Sequence, residues 1–98
     1  MVVQEIRSMQ RASVRKISGG KLLKVRVRSE GGVLEEVRIT GDFFVSPEEA
    51  VDAIEGALRG VHVSRIGEVV KREAGSQGAV FLGFSLQDLV EMIEDCTG

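Results

Sequence analysis

From Leu23 the chain alternates: Leu23, Val25 and Val27 are apolar, and Lys24, Arg26 and Arg28 between them are basic. A period of two over that length marks a strand with one face buried and one in water. Val37 and Ile39 resume the alternation, with Glu36, Arg38 and Thr40 on the other parity. Glu30-Gly31-Gly32 separates the two runs and supplies a turn, because glycine accepts the backbone geometry of tight hairpins. Pairing about Gly31 sets Val25 opposite Val37, Leu23 opposite Ile39, and Arg26 opposite Glu36, a favourable cross-strand pair. Leu34 breaks the parity, so a bulge is expected near Glu35. Upstream, Val14 and Ile17 flank Arg15-Lys16 and lead to a Gly19-Gly20 turn, which makes a short first strand from Ser13. Residues 1–12 hold no sustained period and read as a loosely ordered N-terminal arm or a short added element, ahead of a single domain over 13–98.

Beyond the hairpin the period lengthens to that of a helix. Ser46-Pro47-Glu48-Glu49 combines a hydroxyl N-cap, a proline at the first helical position and a glutamate placed to close a capping box. Ala50, Val51, Ile54, Ala57 and Leu58 follow at helical spacing, and Gly60 stops the helix. A second start at Ser64 leads through Ile66, Val69 and Val70 and ends before Gly75, with 75–80 as loop. Phe81-Leu82-Gly83-Phe84 is apolar but too short to assign. Ser85 with Asp88 caps a last helix whose Leu86, Leu89, Val90 and Ile93 form one stripe. The expected fold class is α+β: a three-stranded antiparallel meander whose apolar face is covered by about three helices.

At 98 residues, with 43% hydrophobic and 29% charged, the chain fits one modest domain with an aliphatic core. Four phenylalanines are its only aromatics, so adjacent Phe43 and Phe44 are a conspicuous use of them. One cysteine excludes an internal disulfide and a Cys-rich metal cage, and fits a cytoplasmic location. No apolar run nears the roughly 20 residues that span a bilayer. The net charge of −2 hides a polarity. Residues 1–40 hold nine Lys/Arg against four Asp/Glu, whereas 41–98 hold four against eleven. The basic residues lack interleaved aromatics and no nucleic-acid-binding motif is present, which argues against nucleic acid as a partner.

Reactive chemistry is sparse. The single histidine, His62, lies between valines beside a helix start, and Cys96 lies near the C-terminus with no histidine placed to pair with it. Neither GxGxxG nor GxxxxGK[ST] occurs, so the glycines make no nucleotide cradle. These features point away from a catalyst acting alone.

One ordered set of landmarks is informative. Gly19-Gly20-Lys21 opens the hairpin, "ITGDFF" runs over 39–44, an acidic helix closes on Leu58-Arg59-Gly60, and "LGFSLQDLVEMI" spans 82–93. In that order, from about Arg15 to Glu94, the chain resembles the C-terminal domain of bacterial-type lipoate–protein ligases, which in some archaea is a separate small protein. The resemblance implies a fold similar to iron–sulfur scaffold and sulfur-acceptor proteins. It also implies an accessory subunit that, with a separate catalytic subunit, supports ATP-dependent conversion of lipoate to lipoyl-AMP for protein lipoylation. Lipoate and ATP/Mg are then held by that catalytic subunit and none by this chain alone, and the lipoyl-acceptor domains are indirect partners. Beginning at Met1 and ending just past the last helix, the chain looks like the stand-alone form, giving a heterodimer with no membrane and no nucleic acid involved.

Residue by residue, the candidates divide between structure and contact. Adjacent strand-end residues point to opposite faces, so one of Phe43 and Phe44 enters the core and the other turns elsewhere, where it can anchor a partner. Asp42 suits either a turn, accepting backbone N–H groups, or a partner. Gly41 serves a backbone geometry that a Cβ hinders. The family match sets Lys21 toward the partner's phosphate-binding region as a point charge. Arg26, Arg28 and Arg38 make a candidate basic strip. No catalytic and no metal-binding residue is assigned. Two other classes compete with the ligase subunit: an iron–sulfur or sulfur-acceptor module, which would depend on Cys96, and an interaction module unrelated to lipoate.

Overall fold

The alternating segments pair as an antiparallel sheet in the order β1-β2-β3. In the computed structural model, which describes residues 8–17, 19 and 21–97, β1 spans Ser8–Lys16, β2 Leu22–Glu30 and β3 Val33–Gly41. The first strand therefore starts at Ser8 and not Ser13, and residues expected in the arm pair with β2 from Ser8↔Glu30 to Ala12↔Arg26. Period two was hidden there because Met9, Gln10, Arg11 and Ala12 are all exposed, and alternation appears only where one face is covered. Residues 1–7 of the arm, and Gly20 of the Gly19-Gly20 turn, lie outside the described residues.

The hairpin keeps the expected faces but not the expected partners. Gly31 and Gly32, at φ +59° and +81°, form the two-residue turn between Glu30 and Val33. That centre lies half a step beyond Gly31. The bulge then falls where the broken parity placed it: Ser29 pairs with Leu34, but Arg28 pairs with Glu36, leaving Glu35 as the extra residue. Together these slide the register by two. Val25 meets Ile39, Val27 meets Val37, and Arg26 faces Arg38 in place of Glu36. An even shift leaves every side chain on its face, so Leu23, Val25, Val27, Leu34, Val37 and Ile39 remain buried.

Three helices cover that apolar face. α1 spans Glu49–Leu58 and buries Ala50, Ile54 and Leu58. It packs on β3, and the Glu55 carboxylate accepts the Ile39 backbone N–H at 2.6 Å, satisfying a donor on the strand's free edge. The hydroxyl cap expected at Ser46 is not made. Ser46 belongs instead to β4, Phe44–Ser46, and α1 begins with no side-chain cap. Strand pairing has taken the residue that the capping pattern marked for the helix. A short 3-10 turn, Val63–Arg65, precedes α2, Ile66–Gln77. α2 runs through Gly75 and stops at Gly78, whose φ of +61° is the left-handed helix end that glycine permits. The first half of the loop expected over 75–80 is thus helix. Its last residue opens β5, Val80–Leu82, which pairs antiparallel with β4 as a second, two-stranded sheet.

α3, Leu86–Asp95, carries the expected capping box: Ser85 Oγ accepts the Asp88 N–H at 3.0 Å, and the Asp88 carboxylate accepts the Ser85 N–H at 3.1 Å. Its stripe buries Leu89, Val90, Met92 and Ile93, each side chain contributing roughly 1.5–3 kcal/mol by leaving water. On the same side of β1, Arg15 reaches Glu91 at 3.3 Å and Asp88 at 3.5 Å, tying α3 to the sheet. The structure is α+β, as the pattern predicts, with the β4–β5 ribbon as an addition.

Candidate partner-binding surface

At the end of β3 the chain must leave the sheet sharply. Gly41 does this at φ +146°, pressed so closely on β2 that a Cβ would collide with the Leu22 carbonyl oxygen. The Asp42 backbone N–H then donates to that same carbonyl at 3.0 Å. Gly41 is therefore required by geometry, and Asp42 contributes its backbone to the exit while its side chain stays exposed.

The exit sets the next two residues on opposite faces. Phe43 turns inward and meets Phe84 edge-on, ring centroids 5.2 Å apart at 79°. Phe81 stands 5.1 Å from Phe84 on another side, so three of the four phenylalanines form one cluster beneath the ribbon. Phe44 turns outward and is 68% exposed. It sits directly across the ribbon from Leu82, while Val80 lies two residues along β5, opposite Ser46. By strand parity Phe44, Leu82 and Val80 share one face, and the latter two are 61% and 57% exposed. Val45 and Phe81 take the other face and are half-buried. The result is a small apolar platform on an aromatic base. Beside it, Phe43, Phe44, Val45, Glu48 and Val51 line a shallow cleft of about 380 Å³.

Lys21 joins this group. Its Nζ lies 5.5 Å from the Phe44 ring centroid, within cation–π range, which places a positive charge at the edge of the platform. Lys21, Gly41, Phe43 and Phe44 are thus brought together at one end of β3. Arg26, Arg28 and Arg38 share the outer face of the sheet but differ in their surroundings. Arg28 is drawn to Glu35 at 3.3 Å and Glu36 at 3.4 Å, whereas Arg26 and Arg38 face each other across β2 and β3. Sequence reasoning missed Val80 and Leu82. The signal available was the alternation around Phe81, too short to separate from a loop.

Several other polar groups are engaged within the fold. His62 Nδ1 accepts the Ser64 N–H at 3.1 Å, capping the 3-10 turn, and the imidazole packs against the Gly31-Gly32 turn. Cys96, on which a sulfur-acceptor reading depends, is buried, and that burial pushes its thiol up. The Ser8 hydroxyl, donating at 2.8 Å, and then Arg28 hold Glu35 below the usual carboxylate range. Arg65 does the same for Glu68. Both carboxylates are surface groups in local pairs. Among the described residues no group of three His, Cys, Asp or Glu is placed to hold a metal, and no helix is long and apolar enough to cross a membrane. What the geometry offers at Phe44 is contact.

No family model matches the chain. Over 72 residues it is 28% identical to lipoate-protein ligase A subunit 2 of Thermoplasma acidophilum, a match covering 74% of this chain and 76% of that protein. The chain is similar to the small subunit of a split lipoate–protein ligase. The resemblance carried by the ordered landmarks is to the same kind of ligase subunit. Its fold also matches a chain from the structure of the bi-partite archaeal lipoate protein ligase and its E2 lipoyl domain, from the same organism. That match has a TM-score of 0.79 at 24% identity, over 88% of this chain and 96% of that one.

Proposed function

We propose that this protein is the non-catalytic small subunit of a two-part lipoate–protein ligase and docks on a separate catalytic subunit through the β4–β5 ribbon. Its role is to support ATP-dependent activation of lipoate to lipoyl-AMP. The observation that carries the reading is the platform itself: Phe44, 68% exposed, mounted with Leu82 and Val80 on an aromatic base, in a chain similar to a ligase subunit. Large apolar side chains held outward on a stiff support are the usual anchors of protein interfaces.

Lipoate and ATP with Mg belong, in this reading, to the catalytic subunit. Activation requires a carboxylate to meet a phosphorus atom with water kept away, because acyl-adenylates hydrolyse. A docked domain helps by restricting the loops around such a site, so that reactants are held close and aligned. That help needs no titrating group on this chain. In this reading Lys21, whose Nζ lies 5.5 Å from the Phe44 ring centroid, adds a positive charge next to the partner's phosphate-binding region.

Mixing the purified subunits tests this. Lipoyl-AMP formation from lipoate and ATP is expected to be weak with the catalytic subunit alone and to rise with this chain until one-to-one. A full rate in its absence would falsify the reading.

A further inference from the structure

The three-stranded sheet has a second face. Helices cover the side bearing Val25 and Val27; the other side carries the exposed residues of opposite parity, and its charges are unevenly matched. Across the strands, one row is Ala12, Arg26 and Arg38, and the next is Val14, Lys24 and Thr40. Like charges directly opposite destabilise a sheet, so Arg26 facing Arg38 costs the fold something. Arg28, one row further, is ion-paired with both Glu35 and Glu36. Among the described residues no carboxylate forms an ion pair with Lys24, Arg26 or Arg38. Arg38 borders a mixed-charge cleft that includes Asp52 and Glu55, which leaves Lys24 and Arg26 on the central strand as the centre of the positive surface. Beside them β1 offers Ala12 and Val14, the latter 57% exposed. The whole chain carries −2, so this face reflects segregation of charge and not a basic composition.

We propose that this outer sheet face receives an acidic surface of the lipoyl-acceptor protein domain during lipoyl transfer. The proposal rests on the ligase reading above. Two partners make different demands. A standing subunit is best held by buried apolar contact, which the ribbon supplies. An acceptor has to arrive and depart in each turnover, and charge complementarity speeds encounter without long dwell. A cationic face with a shallow apolar margin fits the second demand and fits acidic protein surfaces as its counterpart.

The experiment uses the complex of this chain with its catalytic subunit and purified acceptor domain. It compares wild type with K24E/R26E at about 50 mM and about 500 mM salt, since exposed charge pairs are screened over that range. Expected is a rise of about tenfold in KM for the acceptor at low salt, converging with wild type at high salt, with kcat and lipoyl-AMP formation unchanged. K24Q/R26Q, which removes the charge without reversing it, should give a smaller rise and guards against a folding defect in the first variant. An unchanged KM at low salt in both variants overturns the proposal. So does an unchanged KM together with tight, salt-sensitive binding of a short DNA duplex, which would make the face a nucleic-acid surface. A wild-type complex whose lipoyl-AMP formation ignores this chain overturns the ligase reading first, and shows itself before any variant is made.

Discussion

The β4–β5 ribbon and the outer face of β1–β2–β3 are both solvent-facing β surfaces, and they are built in opposite ways. The ribbon is only three residues per strand, yet it exposes Phe44, Leu82 and Val80 together and rests on the Phe43–Phe84–Phe81 cluster. The sheet face is three strands of nine residues each, and on it cationic side chains dominate while the apolar ones are small or scattered. Length explains part of this. A long strand pair finds its stability in the covered face and can spend its other face on charge. A ribbon of three residue pairs cannot stand alone and needs the aromatic base beneath it. The ribbon is therefore supported from below and apolar, suited to a lasting contact. The sheet face is polar and screened by salt, suited to a passing one.

The sharpest way to break this comparison is to unmoor the ribbon. Phe84→Ala removes the ring that Phe43 and Phe81 both touch, at a residue only 8% exposed. Chemical denaturation should show a loss of about 3–5 kcal/mol, and partner binding should weaken with it, because platform and base fail together. If stability holds, the aromatic cluster is not the ribbon's support.

Next is Phe44→Asp, where base and platform separate. Thermal unfolding should be unchanged, since the ring is already largely in water. Calorimetric titration with the catalytic subunit should show about 100-fold weaker binding, on the order of 3 kcal/mol for an anchor residue. An altered Tm would mean that Phe44 holds the fold and not a partner.

The smallest effect has the opposite sign. Arg26→Glu replaces a like-charge pair with Arg38 by an opposite-charge pair, and equilibrium unfolding should show a gain of about 0.2–1 kcal/mol. A structural role for Arg26 requires a loss. A gain accompanied by poorer acceptor kinetics would show charge retained at a cost to stability.

How far the sequence disclosed these two surfaces depended on what shaped them. The sheet's faces were legible because burial on one side imposes period two, and the bulge at Glu35 was legible because Leu34 breaks it. The register was not, because a turn centred between two glycines and one bulged residue each shift it by one, and their even sum leaves the pattern of faces intact. The capping box at Ser85–Asp88 is local chemistry and was read correctly. The same chemistry misled at Ser46, where a pairing with Val80 from a distant segment outcompeted a local cap. The opposition of Phe43 and Phe44 followed from strand parity, but Leu82 and Val80 joined Phe44 only through that long-range pairing, which one sequence does not encode visibly. Arg26 beside Arg38 was hidden for the same reason as the register.

The division of labour between the two surfaces can be measured in one comparison: the affinity of the catalytic subunit for Phe44→Asp and for K24E/R26E, titrated side by side under one buffer. The expected result is about a 100-fold loss for the first and affinity within about twofold of wild type for the second. Wild-type affinity in Phe44→Asp, with the loss appearing in K24E/R26E, would contradict it.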